Sequence, residues 1–194
     1  KRISIHPAVV ISPRNKKTPV ETRMKAEITR AIFNVCERKG CIGMPFPKHS
    51  DIRSIYDGLM SYQNDFGSFP ASENGKIVAC KGKYSEEKGL YELAACEWYW
   101  DGLFDVNDEG YPPYLTNIPS DPYHGRGARY LYISNGKHFQ VYASLESSKE
   151  DEFEPEIVSR QLNCGNEVCN FGRADGKVPL DKSLEEYEND ISEK

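Results

Sequence analysis

At 194 residues, with 38% hydrophobic and 11% aromatic side chains, the chain can build one packed domain with extensions, which excludes wholesale disorder. A net charge of -5 leaves no basic footprint for nucleic acid or an anionic membrane, because phosphate binding needs clustered Lys and Arg. No apolar run approaches the ~20 residues that cross a bilayer, and no signal-peptide core follows Lys1-Arg2, so membrane attachment is expected only through an anchor outside this chain.

In chain order, Ile3, Ile5 and Val9 to Ile11 suit a short extended arm interrupted by Pro7, and the basic residues from Arg14 to Lys17 read as a solvated continuation. Thr18-Pro19-Val20-Glu21 then predicts a helix start, with Thr18 capping and Pro19 at the first turn. Met24, Ile28, Ala31, Ile32 and Val35 continue it at helical spacing to a C-cap at Gly40. Ser50 opens a second helix whose apolar stripe is Ile52, Ile55, Tyr56, Leu59 and Met60, ending where Gly67 supplies a left-handed residue. Leu90, Leu93, Ala94 and Glu97 to Trp98 predict a third helix over 85–100, despite Gly89.

The next stretch is loop-rich. Asp105-x-Asn107-x-Glu109-Gly110 partly mimics a calcium loop, but Thr116 stands where a bidentate Glu is required, so an EF-hand is rejected. Residues 129–134 and 138–145 are the strongest strands, and Asn135-Gly136 between them predicts a type I′ hairpin. A short strand near 168–171 and a charged end from Asp181 follow.

Six cysteines fall as Cys36 and Cys41, Cys80 and Cys96, Cys164 and Cys169. An even count with locally spaced pairs suits disulfides in an oxidising compartment; the connectivity stays open, with neighbour pairing favoured. Zinc is disfavoured because neither short pair has knuckle spacing. No Gly-x-Ser-x-Gly elbow, His-Glu-x-x-His helix or phosphate-binding glycine loop is present, and His49, His124 and His138 each sit beside a turn or strand boundary. The aromatic set Trp98, Tyr99, Trp100, Tyr111, Tyr114 and Tyr123 serves either as core packing or as a platform for glycan or peptide.

From Asp51 to Pro70, Tyr62, Asp65, Gly67, Phe69 and Pro70 close a helix in a manner that resembles type IV pilin-like proteins, especially the major pseudopilin of type II secretion systems. Trp100-Asp-Gly-Leu103, Tyr114-Leu115, Ile118-Pro119-x-Asp121-Pro122 and Tyr130-x-Tyr132 resemble that family's later anchors in the same order, with Asp121 expected to cap the turn's amides between Pro119 and Pro122. The likeness covers about residues 50–145; residues 1–47 and the family's apolar N-terminal segment have no counterpart.

The resemblance implies an α+β fold, amphipathic N-terminal helices packed on a small antiparallel sheet. It also implies a non-enzymatic structural subunit that assembles with itself or with other pilin-like subunits, at the cell envelope or outside the cell. On this reading residues 1–47 form an arm and helix, 48–163 the globular domain and 164–194 a disulfide-clasped acidic tail. An arm from Ile3 to Ile11 that completes a neighbour's sheet is physically available. The family's C-terminal calcium loop has a loose counterpart in Gly172-Arg-Ala-Asp175-Gly and Asn189-Asp190, making Asp175, Asn189 and Asp190 the implied metal ligands. The alternative function is a secreted binding module with an aromatic surface around Trp98 to Trp100 that holds glycan or peptide.

Overall fold

The computed structural model describes residues 47–108, 110–176 and 178–193. The helix expected after Thr18, the Cys36 and Cys41 pair and the arm at 3–11 lie outside these residues.

Helix α1 (Pro47–Phe66) begins earlier than the expected start at Ser50. Ile52, Ile55 and Leu59 are fully buried and Tyr62 nearly so, a 3-4-3 spacing that keeps one stripe inward, while Arg53 and Asp57 face water. Gly67, at φ 73°, ends it as expected, its N–H donating to the Gln63 carbonyl at 2.8 Å. Burying each large side chain of that stripe contributes about 1.5–3 kcal/mol.

Strand β1 (Ala71–Glu73) turns into β2 (Lys76–Ser85) through Asn74 and Gly75, at φ 51° and 77°. Positive φ at both central residues is the type I′ arrangement, and Glu73 pairs with Lys76 across it. Strand β3 (Leu90–Ala95) returns antiparallel to β2 with two irregularities in register, and the Cys80–Cys96 disulfide closes its end. After an irregular stretch that includes a Leu103–Leu115 bridge, a 3-10 turn (His124–Arg126) leads to β4 (Leu131–Ser134) and β5 (Phe139–Ala143).

The segment expected as an acidic tail contributes structure of its own. Strand β8 (Phe171–Ala174) pairs antiparallel with β5, so that β5 is the centre of a β4-β5-β8 sheet and all five of its residues are buried. Helix α1 packs on one side of this sheet, against β5 and β8. Tyr142, Ile157, Cys164 and Cys169 form a second apolar cluster with Leu131, Ile133, Leu162 and Leu180. That cluster draws on α2 (Pro155–Ser159) and on the two-stranded ribbon β6 (Asn163–Cys164) with β7 (Glu167–Val168), clasped by Cys164–Cys169. Helix α3 (Leu184–Ser192) follows, its N-terminus held by a reciprocal capping box between Ser183 and Glu186.

This architecture corrects the expected fold class. Instead of N-terminal helices on one small antiparallel sheet, the described residues hold one long helix near their start, followed mostly by strands in three small antiparallel sheets, β1-β2-β3, β4-β5-β8 and β6-β7. The helix expected over 85–100 is also overturned: this stretch supplies β3. Gly89, at φ 65°, turns the chain back, and pairing with β2 plus the Cys80–Cys96 bond outweighs a helical spacing in Leu90, Leu93 and Ala94. The β4–β5 turn differs as well. Gly136 has φ 85° but Asn135 has no positive φ, and the Asn135 side chain accepts from the Lys137 and His138 N–H groups instead, so the turn is not type I′.

Candidate functional site

Three groupings of side chains have chemistry or exposure to offer. The first lies where α1 begins. Lys48 is 4% exposed, and its Nζ donates to the Ser144 carbonyl. The same ammonium lies 2.8 Å from Glu146 Oε1, 3.3 Å from Asp121 Oδ2 and 5.0 Å from the centre of the Tyr123 ring. Asp121 is 1% exposed; its Oδ1 accepts the Tyr123 N–H at 2.8 Å, which is the turn-capping role expected of it. Burial holds the Asp121 carboxyl above the ordinary range, outweighing the Tyr123 amide and Lys48, which act in the opposite direction. One turn along α1, Asp51 accepts the Tyr130 hydroxyl at 2.7 Å. Asp51 too is pushed up by burial, and Tyr130 is held well above a normal phenol, first by burial and then by the Asp51 charge.

The second grouping surrounds the residues implied as calcium ligands. Asp175 takes the Phe139 N–H at 2.9 Å and the His138 ring at 3.0 Å. The other side of that ring reaches Glu188 of α3 at 3.7 Å and meets Tyr187 edge-on. Asp190 is ion-paired with Lys182 at 2.8 Å, and the Asn189 carbonyl accepts from Ser192 and from the Glu193 N–H. The structure therefore links Asp175 to α3 through His138 and turns Asp190 toward Lys182. Calcium takes six to eight oxygens. Here two of the three implied ligands already receive protein donors, and among the described residues no group of three or more His, Cys, Asp and Glu side chains is arranged to hold a metal.

The third grouping is aromatic. The six aromatics expected together are divided by the fold. Trp98 meets Tyr130 edge-on at 6.0 Å and is partly buried against the core, whereas Trp100 is 72% exposed beside Tyr99. Tyr123 lies with Lys48 and Arg126. Tyr111 and Tyr114 join the end of α1: Tyr114 packs edge-on to Tyr62 and Phe66 and donates its hydroxyl to Asp65 at 2.8 Å. Burial, and next that bond to Asp65, hold the Tyr114 hydroxyl well above its ordinary range.

Beside this cluster runs a groove lined by Tyr62, Phe66, Tyr91, Leu93, Phe104 and Val106 together with the polar Asp105 and Asn107. Phe66 is 43%, Leu93 47%, Phe104 42% and the neighbouring Tyr111 43% exposed, so large apolar side chains face water at one end of the helix. Exposed apolar patches of this kind mark interaction surfaces. Leu93 and Tyr91 were not expected here, because a helical reading of 85–100 gives no reason to bring them to Phe66. Comparison with family models, curated proteins and solved structures finds no match for this chain.

Proposed function

We propose that the chain is a non-enzymatic structural subunit of a type IV pilus-like or type II secretion pseudopilus filament. One observation carries the reading: the anchors through which the sequence resembles that family are bonded to one another. Tyr114 donates to Asp65, Tyr132 donates to the Pro70 carbonyl at 2.8 Å, and Leu103 bridges Leu115. Residues committed to such a scaffold support a role carried by surfaces, and the Phe66, Leu93 and Phe104 face supplies an apolar surface for subunit contact.

Two disulfides among the described residues point to an oxidising compartment, and the filament reading places it at the cell envelope or outside the cell. No helix of the described residues is long and apolar enough to cross a membrane, so a membrane tie in this proposal comes from an anchor elsewhere. Electron microscopy of filaments isolated with native partners tests the proposal. Filaments that contain this chain support it; a chain that stays monomeric with every pilin-like partner offered overturns it.

The exposed Trp100 with Tyr99 favours a second reading, a secreted module that holds glycan or peptide on an aromatic surface. Trp100→Ala would then abolish a measurable glycan or peptide binding, whereas the filament reading expects no such binding in the wild-type chain.

A further inference from the structure

Lys48 and Asp121 meet inside the protein, 4% and 1% exposed. Nζ lies 3.3 Å from Oδ2, an ion-pair contact at the long end of hydrogen-bonding distance. The other Asp121 oxygen is fixed by the Tyr123 N–H. The Lys48 amine is held by the Ser144 carbonyl and by Glu146 Oε1 at 2.8 Å. A primary amine, a carboxyl group whose Oδ2 lies 3.3 Å from it and a second carboxylate in contact with the amine are the parts that amide formation requires.

We propose that Lys48 Nζ and Asp121 Cγ join in an intramolecular amide bond, with Glu146 carrying the protons. Glu146 takes one proton from the Lys48 ammonium, and the freed lone pair attacks Asp121 Cγ. The tetrahedral adduct loses a second proton from nitrogen, and both protons leave on one Asp121 oxygen as water. One C–N bond forms and one C–O bond breaks; an ammonium and a carboxylate become an amide and a water molecule, with no oxidant or reductant.

Two physical features favour the step. Reactants fixed in contact react as if at an effective concentration on the order of 10^5 M or more, and a buried site keeps water from reversing the bond. Burial also favours the uncharged Asp121 carboxyl, the form an amine attacks, and the proton that Glu146 takes from the Lys48 ammonium is the one that neutralises it. Glu146 is 44% exposed at its side chain, so it can exchange protons with solvent. The product would replace a buried ion pair, whose desolvation is expensive, with a neutral group, and would tie the start of α1 covalently to the turn before β4. This inference does not depend on the filament reading.

Intact-mass spectrometry of the full chain, followed by reduction, proteolysis and peptide mapping, tests it. The expected result is a chain lighter by one water than its disulfide-closed sequence mass, with a cross-linked peptide pair that contains Lys48 and Asp121. Full mass, or a water loss that maps elsewhere, overturns the proposal. Lys48→Met is expected to restore full mass. Because removing one partner of a buried pair can unfold the protein, Glu146→Gln at the exposed carboxylate is the second variant. It should keep the wild-type circular dichroism yet remain at full mass; a Glu146→Gln chain still cross-linked removes Glu146 from the mechanism.

Discussion

Asp51 stands under opposed influences: burial raises its carboxyl and the Tyr130 hydroxyl bond lowers it, and burial prevails. A carboxyl raised in the folded state binds its proton more tightly there than in the unfolded chain, so its contribution to stability declines as pH rises from the ordinary carboxylate value through the raised one. Asp51→Asn keeps an acceptor for Tyr130 and removes the charge. The variant should melt no lower than wild type near pH 7, with its advantage shrinking toward pH 4, as thermal melts across that range would show. At the implied calcium residues, where His138 and Phe139 bond to Asp175 and Lys182 pairs with Asp190, equal melting midpoints in calcium and in chelator are expected. A rise with calcium would support the ligand set that the resemblance implies. Asp121 was legible as a turn cap, since an Asp between two prolines has little else to do locally. Its meeting with Lys48 was not, because residues so distant in sequence are brought together only by the packing of α1 near the turn that leads into β4.

At the level of elements, the long helix was legible because its apolar stripe is sustained over several turns, and the β4–β5 pairing because aromatic and branched residues alternate. The stretch over 85–100 departs from its helical expectation for a physical reason: Leu90, Leu93 and Ala94 satisfy a helical spacing, but a disulfide and a partner strand decide the matter. That bond should then matter to stability. Cys80 and Cys96 are 16 residues apart, a loop whose closure is worth about 3 kcal/mol. A Cys80→Ser and Cys96→Ser double variant is expected to lose roughly that amount in denaturant unfolding. Two local signals were present and unread: Asn74-Gly75, a two-residue type I′ turn, and Ser183-x-x-Glu186, the capping box of α3. Gly58 in α1 has a role that sequence hides. A Cβ there would meet Leu115 Cδ1 at 2.5 Å and the Tyr114 carbonyl at 3.3 Å. Gly58→Ala should therefore destabilise by about 1–2 kcal/mol in denaturant unfolding, the overpacking exceeding the gain in helix propensity of ~1 kcal/mol.

Across the whole molecule, helix α1, the central β5 strand and the second cluster around Tyr142 build a scaffold whose polar interior groups are mostly paired. Buried Gln140, for instance, donates to the Pro179 and Lys182 carbonyls at 2.6 and 2.7 Å. What remains for interaction is the surface, and the proposed filament role places weight on its apolar end. Replacing Phe66 and Phe104 together with Ser should leave the unfolding free energy within about 1 kcal/mol of wild type, since both are already nearly half in water, while reducing co-sedimentation with assembled partners. Unchanged assembly would remove this face from the contact. By itself the sequence determined the local matters: an amphipathic helix with a left-handed stop, strand-forming runs, an Asp-capped proline turn and cysteines spaced for disulfides, because each depends on neighbours a few residues away. Only the tertiary structure decided that 90–95 is a strand, that 171–174 edges the central sheet, that Phe66 and Leu93 share a groove, and that Lys48 rests against Asp121. Those outcomes depend on long-range burial and pairing, which local spacing does not encode.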